Sequence, residues 1–242
     1  MRKTWTIALK ELASFFDSLI AYILLVVFLG LSGFFTWLYG TDVFMRGQAD
    51  LSAFFNIAYW TLFFFIPALT MRSLAEERRS GTLDLLLTKA LTDQQVVLGK
   101  FLASLLLIAV ALLCSLPYYF TIASIGNIDH GAVIGGYMAL LLMSAAYTGI
   151  GIYASSITNN QIVAFLLALM IGSLFHILFQ VMASNFTGTI GSVLDFLSTG
   201  QHFDSMSRGV VDSRDVIYFL SIALAGLVMA EFNLAKRSFT GK

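Results

Sequence analysis

Of 242 residues 58% are hydrophobic and only 12% charged, with 22 phenylalanines and two prolines, which is more apolar surface than a water-exposed globular domain buries. Lys plus Arg balances Asp plus Glu at 14 each, and no basic run carries interleaved aromatics, so a nucleic-acid groove is excluded and nucleic acid is not expected as a partner. The single cysteine, Cys114, lies in an apolar run, which excludes an intrachain disulfide and any C-x-x-C metal spacing and makes it a small apolar filler.

The opening segment, Met1 to Asp17, has helical periodicity. Trp5, Ala8, Leu9, Leu12, Phe15 and Phe16 fall on one side, with Lys3, Thr6, Lys10, Ser14 and Asp17 opposite. Lys10, Glu11 and Asp17 interrupt the apolar core a signal peptide would need. The pattern predicts an interfacial helix over 1–17 that stays attached and lies along the membrane surface. Trp5 is placed at headgroup level, Leu12 in the apolar face, and Lys3 and Lys10 toward lipid phosphates, which makes membrane lipid a partner. The plainer alternative is the frayed start of the first span.

Uncharged windows predict six spans, about 18 to 39, 51 to 71, 98 to 122, 131 to 155, 162 to 183 and 216 to 235, since about 20 apolar residues cross a bilayer as helix. Gly131 to Leu194 holds no Asp, Glu, Lys or Arg and is too long for one crossing. It divides at Ser155, Ser156, Thr158, Asn159, Asn160 and Gln161, a polar turn that makes the fourth and fifth spans a tight hairpin. Pro67 and Pro117 each remove a backbone donor and predict kinks in the second and third spans. Gly135, Gly136, Ser144, Ala145, Ala146, Gly149 and Gly151 put close helix contacts on the fourth. His176 falls within the fifth span, either as a proton or substrate contact or, more plainly, as a histidine bonded to a neighbouring helix. Residues 184–215 are too long for a turn, and their apolar Ile190, Val193, Leu194, Phe196 and Leu197 predict a re-entrant helical segment on the outer side.

Orientation follows from the basic residues. With the N-terminus in the cytoplasm, 11 of the 14 fall inside and only Arg46, Arg208 and Arg214 outside, as the positive-inside rule requires. Both termini are then cytoplasmic, and so is the charged loop at 72–97. In that loop Arg72 to Arg79 continues the second span, where Glu76, Glu77, Arg78 and Arg79 can exchange ion pairs. Gly81 is a helix stop, because left-handed backbone costs glycine little. Thr82 caps a short helix whose Leu83, Leu85, Leu86 and Leu87 are exposed unless a partner covers them. Thr92 with Gln95 is a capping-box pattern that restarts helix toward the third span.

The loop also resembles a known family. Pro67-Ala-Leu-Thr-Met-Arg72, Glu76-Glu77-Arg78-Arg79-Ser80-Gly81-Thr82, Leu85-Leu86-Leu87-Thr88 and Leu98-Gly99-Lys100 look like the signature of ABC transporter permeases of the type-2 superfamily, also called type V exporters. The later stretch from Phe203-Asp204 to Asp215-Val216-Ile217-Tyr218-Phe219-Leu220 is similar as well, and Ala90 stands where many relatives have proline. The closest likeness is to the gliding-motility-associated permease subunit, then to the copper-linked permeases of nitrous-oxide reductase maturation. The resemblance implies one permease domain over 1–242 in a bacterial inner membrane, with a cytoplasmic coupling helix between spans 2 and 3 and a re-entrant pair between spans 5 and 6. It implies that two permease chains, identical or related, dimerise on two ABC ATPase subunits. The gliding-motility likeness suggests a larger membrane partner with an extracytoplasmic domain. The sequence agrees on the division of labour, having no G-x-x-x-x-G-K-[ST] phosphate loop. The chain is therefore expected to be no enzyme and to bind no cofactor, with ATP and Mg on the ATPase.

Two competing classes remain open. A membrane-embedded enzyme would use Glu76 and Glu77 with His130, His176 or His202 as metal ligands, but the predicted threading separates the glutamates from His130 and His202 by about 30 Å of hydrocarbon. No H-E-x-x-H or nucleophile motif is present. A secondary transporter would place ionisable residues in several spans and show internal repeats; His176 alone fits.

Overall fold

The computed structural model describes residues 2–39, 47–81 and 91–240, with side chains from Lys3 to Lys236 within those ranges. Every regular element among them is helical. Six helices among the described residues are long and apolar enough to cross a membrane: Leu19–Trp37, Ser52–Ser80, Asp93–Ile125, His130–Ile157, Gln161–Asn185 and Ser213–Lys236. This is the all-α polytopic architecture the hydropathy windows predict.

Helix α1 (Arg2–Asp17) precedes the first span, α2 (Leu19–Trp37), whose start is capped by Ser18. The second span comprises α3 (Ser52–Thr70), an open turn, and α4 (Ala75–Ser80). The third comprises α5 (Asp93–Cys114) and α6 (Leu116–Ile125). The fourth is the unbroken α7 (His130–Ile157), capped by the Asp129 carboxylate on the Gly131 and Ala132 N–H groups. The fifth starts as α8 (Gln161–Ser173), passes through one π turn at Leu174–Leu178 and ends as α9 (Phe179–Asn185). Two short helices, α10 (Thr189–Leu197) and α11 (Thr199–Ser207), lead to α12 (Ser213–Thr240), the sixth span.

The fourth span is the most buried of the six, and the first and fifth are the least. Its stripe of small residues explains why. A Cβ on Gly149 would lie 2.7 Å from the Ala223 carbonyl oxygen, and one on Gly226 would meet the Gly149 backbone. Spans 4 and 6 therefore touch backbone to backbone, the closest approach glycine permits. The same stripe seats Phe55 against Gly136 and Thr70 against Gly151. The main apolar core gathers around Phe28, Phe54, Leu62, Ile66, Leu107, Ile108, Leu140 and Met143.

Local expectations are corrected at three places. Pro67 lies inside an unbroken helix, and the opening falls four residues later, at Met71 to Leu74. At Pro117 the third span is interrupted as expected: α5 stops at Cys114, Ser115 makes the turn, and proline takes the first turn of α6, where its missing N–H removes no intrahelical bond. Cys114 is exposed at that junction, so it fills no core. The turn between the fourth and fifth spans is also shorter than expected. Ser155 and Ser156 stay in α7 and are fully buried, leaving the turn to Thr158, Asn159 and Asn160, whose side chain caps α8 on the Ile162 N–H.

Candidate functional site

At the Gly81 end of the bundle, the chain leaves the second span through a break that another span repairs. After Thr70 the backbone opens, and Ser155 of the fourth span fills the gap. Its Oγ accepts from the Leu74 and Ala75 N–H groups, both at 3.0 Å, and donates to the Met71 carbonyl at 3.0 Å. All three hydrogen-bonding positions of one hydroxyl are thus used to join α3 to α4. Beneath the joint Leu74 is fully buried with Val96, Val97, Ile152, Leu227, Ala230 and Leu234, a second apolar cluster drawn from spans 2, 3, 4 and 6. Asn233 of the sixth span donates to the Ser156 carbonyl at 2.7 Å and closes the same corner.

The charged side of α4 faces the start of the third span. Lys100 is 3% exposed, and its ammonium lies 2.7 Å from Glu77 Oε1 and 3.1 Å from Glu11 Oε1. One cation thereby joins α1, α4 and α5. A buried ammonium without anions would be strongly unfavourable, and two carboxylates in hydrogen-bond contact offset its desolvation. Glu77, which the sequence allows to pair within the Glu76–Arg79 group, turns to Lys100 on α5. A pocket of about 380 Å³, lined in part by Ser14, Ser18, Arg72, Glu76 and Lys100, opens beside the cluster.

Glu76, Arg79 and Gly81 are exposed, and Glu77 and Arg78 half-buried. Gly81 ends α4 at φ +70°, in the left-handed region. Thr92 and Gln95 form the reciprocal capping box that starts α5. Thr82, Leu83, Leu85, Leu86 and Leu87 lie outside the described residues. On α1, Lys3 and Lys10 are exposed, Trp5 is 50% exposed and Leu12 is half-buried. That helix packs along α5, where a Cβ on Gly99 would lie 2.8 Å from Ile7 Cβ. Ala8 is covered by this contact, while Trp5 and Leu9 stay open, so the apolar side splits into a protein-facing and an outward half.

His176 occupies the π turn of the fifth span. It lies between Tyr59 and Phe63, with ring centroids at 4.0 and 4.2 Å, and its Nδ1 is 2.8 Å from the Tyr147 hydroxyl of the fourth span. Tyr147 also reaches Thr199 at 3.3 Å. His130 meets the Tyr119 hydroxyl at 2.9 Å, and His202 meets Asp215 at 2.6 Å. The three histidines thus sit in separate settings, and among the described residues no three His, Cys, Asp or Glu side chains gather as a metal-binding group.

The family model of the ABC-2 family transporter proteins matches residues 5–229. The chain belongs to that family. It is accordingly a multi-pass permease component of an ABC transporter, a class that works with an ABC ATPase subunit and is not catalytic by itself. The chain matches no curated protein. For an ABC-2 permease, the pieces sequence reasoning missed are the joint and the cluster. Ser155 read as a turn residue, and Lys100 and Glu11 carry no local signature because they meet across 89 residues of chain. The one available signal was the isolated cation Lys100 at the head of an uncharged run.

Proposed function

We propose that this chain is the membrane subunit of an ATP-driven exporter-type complex, and that its ATPase docks on residues 82–90 and on the exposed side of α4. The observation that carries this reading is the clamped joint: α4 is held by Ser155 and Lys100 to spans 4 and 3 and to α1, then ends on Gly81. A push on the loop beyond Gly81 is transmitted through α4 to four helices together. Closure of the ATPase then performs work on the bundle through contacts that differ between two states, as coupling between distant sites requires.

In this reading Leu83 to Leu87 are the coupling helix, and Glu76, Glu77, Arg78 and Arg79 orient it. ATP and Mg stay on two copies of the ATPase. The Gly81 face and both termini lie in the cytoplasm of a bacterial inner membrane, in keeping with the 11 basic residues on that side. Trp5 and Leu9 of α1 rest in the headgroup layer, and α10 and α11 re-enter the membrane from the outside. A second permease chain, identical or related, completes the complex. Its output is export of material or mechanical work on a partner with an extracytoplasmic domain, the latter matching the gliding-motility likeness of the loop.

Leu83→Asp with Leu86→Asp tests the docking. The double variant should insert in the membrane at normal levels and lose its ATPase on copurification from native membrane; full retention of the ATPase rejects the proposed surface.

A further inference from the structure

At the end of the bundle opposite Gly81, His202 and Asp215 are 3% and 5% exposed, and both ring nitrogens of His202 face oxygen. Nδ1 lies 2.6 Å from Asp215 Oδ1, and Nε2 lies 2.8 Å from the Phe196 carbonyl oxygen. A carbonyl only accepts, so Nε2 must carry hydrogen. A neutral imidazole has one N–H, which would leave the bare Nδ1 lone pair against an ionised carboxylate. That arrangement is repulsive and cannot account for a 2.6 Å contact. The contact requires one more proton, on Nδ1 or on Oδ1.

We infer that His202 and Asp215 share one proton and form a proton-dependent clasp between the α10–α11 pair and the start of the sixth span. The clasp secures more than one contact. The His202 ring stacks on Tyr218 at 4.0 Å, and the Tyr218 hydroxyl donates to the Leu197 carbonyl at 2.6 Å. His202 and Tyr218 therefore hold the adjacent carbonyls of Phe196 and Leu197 at the junction where Ser198 and Thr199 are buried. When the proton leaves, a buried carboxylate whose Oδ2 has no hydrogen-bond partner faces a lone pair, and the junction loses the His202–Asp215 tie to α12 and is left to the Tyr218–Leu197 hydrogen bond.

The titratable and charged neighbours are few. Tyr218 lies against the ring, and behind it Thr199 leads to Tyr147 of the fourth span and His176 of the fifth. Tyr59 of the second span packs on Phe203, the next residue of α11. Among the described residues the others are Asp195 on α10, Asp204 on α11 with Arg208 donating to its carbonyl just past the helix end, and Arg214 and Asp212 beside Asp215. The Arg214 backbone N–H, 3.0 Å from the Asp212 carboxylate, holds that carboxyl below its usual range and keeps it occupied as the cap of α12. The clasp thus makes the outer junction sensitive to the pH on its own side of the membrane, independently of the ATPase surface.

Hydrogen exchange of the amides in 195–207, in the purified full-length chain and corrected for the intrinsic base-catalysed rate, reads the clasp directly. In the wild type, opening should rise by about tenfold as the pH goes from mildly acidic to alkaline, the equivalent of one charge-assisted hydrogen bond. Asp215→Asn should abolish that dependence, because its amide N–H donates to Nδ1 of a neutral imidazole and both bonds survive without the extra proton. A flat wild-type profile overturns the proposal whether or not the variant folds. The same rise in wild type and Asp215→Asn overturns it as well.

Discussion

Lys100 ties three helices together at the Gly81 end of the bundle. It sits between Glu11, 89 residues earlier, and Glu77, 23 residues earlier, and is nearly excluded from water. Lys100→Met leaves two carboxylates facing each other without a cation and should cost about 3 kcal/mol. Glu11→Gln should cost about 1 kcal/mol, since Glu11 is 27% exposed and Glu77 still neutralises the ammonium. Thermal unfolding of the purified variants measures both, and equal shifts would show that the cluster does not act as a buried unit. Pairing across such separations leaves no trace in a sequence window, which is why Glu77 could be named there but its partner could not. Gly81 and the Thr92–Gln95 cap were legible because each is decided by its own few residues. Ser155 was misassigned for the opposite reason: a serine next to Thr158 and two asparagines looks like a turn until a second helix supplies the groups it bonds.

Among the elements, the fourth span organises the others. Its small residues were visible in the sequence as a face for close packing, but smallness specifies a distance and not a partner. The partner is the sixth span, whose Gly226 meets the Gly149 backbone. Gly226→Leu forces the two helices apart and should reduce the monodisperse fraction of detergent-solubilised protein several-fold. Gly30→Leu, at a site with nothing within 4 Å of an added Cβ, should leave it unchanged. Fluorescence-detected size exclusion distinguishes the two, and matching profiles would refute the close-contact role. Proline gives the same lesson in reverse. The rule that it disrupts helices located the interruption of the third span beside Pro117, whereas Pro67 stays inside an unbroken helix.

For the whole molecule, the six spans were readable because a bilayer imposes one length on every crossing and hydropathy records it. The family was readable too, in the loop residues that flank Gly81, and it is the match over 5–229 that establishes it. Assembly was not readable from the spans, which carry lipid-facing and partner-facing residues in the same apolar alphabet. The proposed energy transfer runs through one segment, residues 82–90 just beyond Gly81. The direct measurement is thiol labelling of Leu86→Cys in a Cys114→Ser background with a membrane-impermeant maleimide. Labelling should occur only from the cytoplasmic side, in inverted vesicles, and should fall sharply when the ATPase is co-expressed. Labelling from the outside of intact cells, or labelling indifferent to the ATPase, would contradict the account.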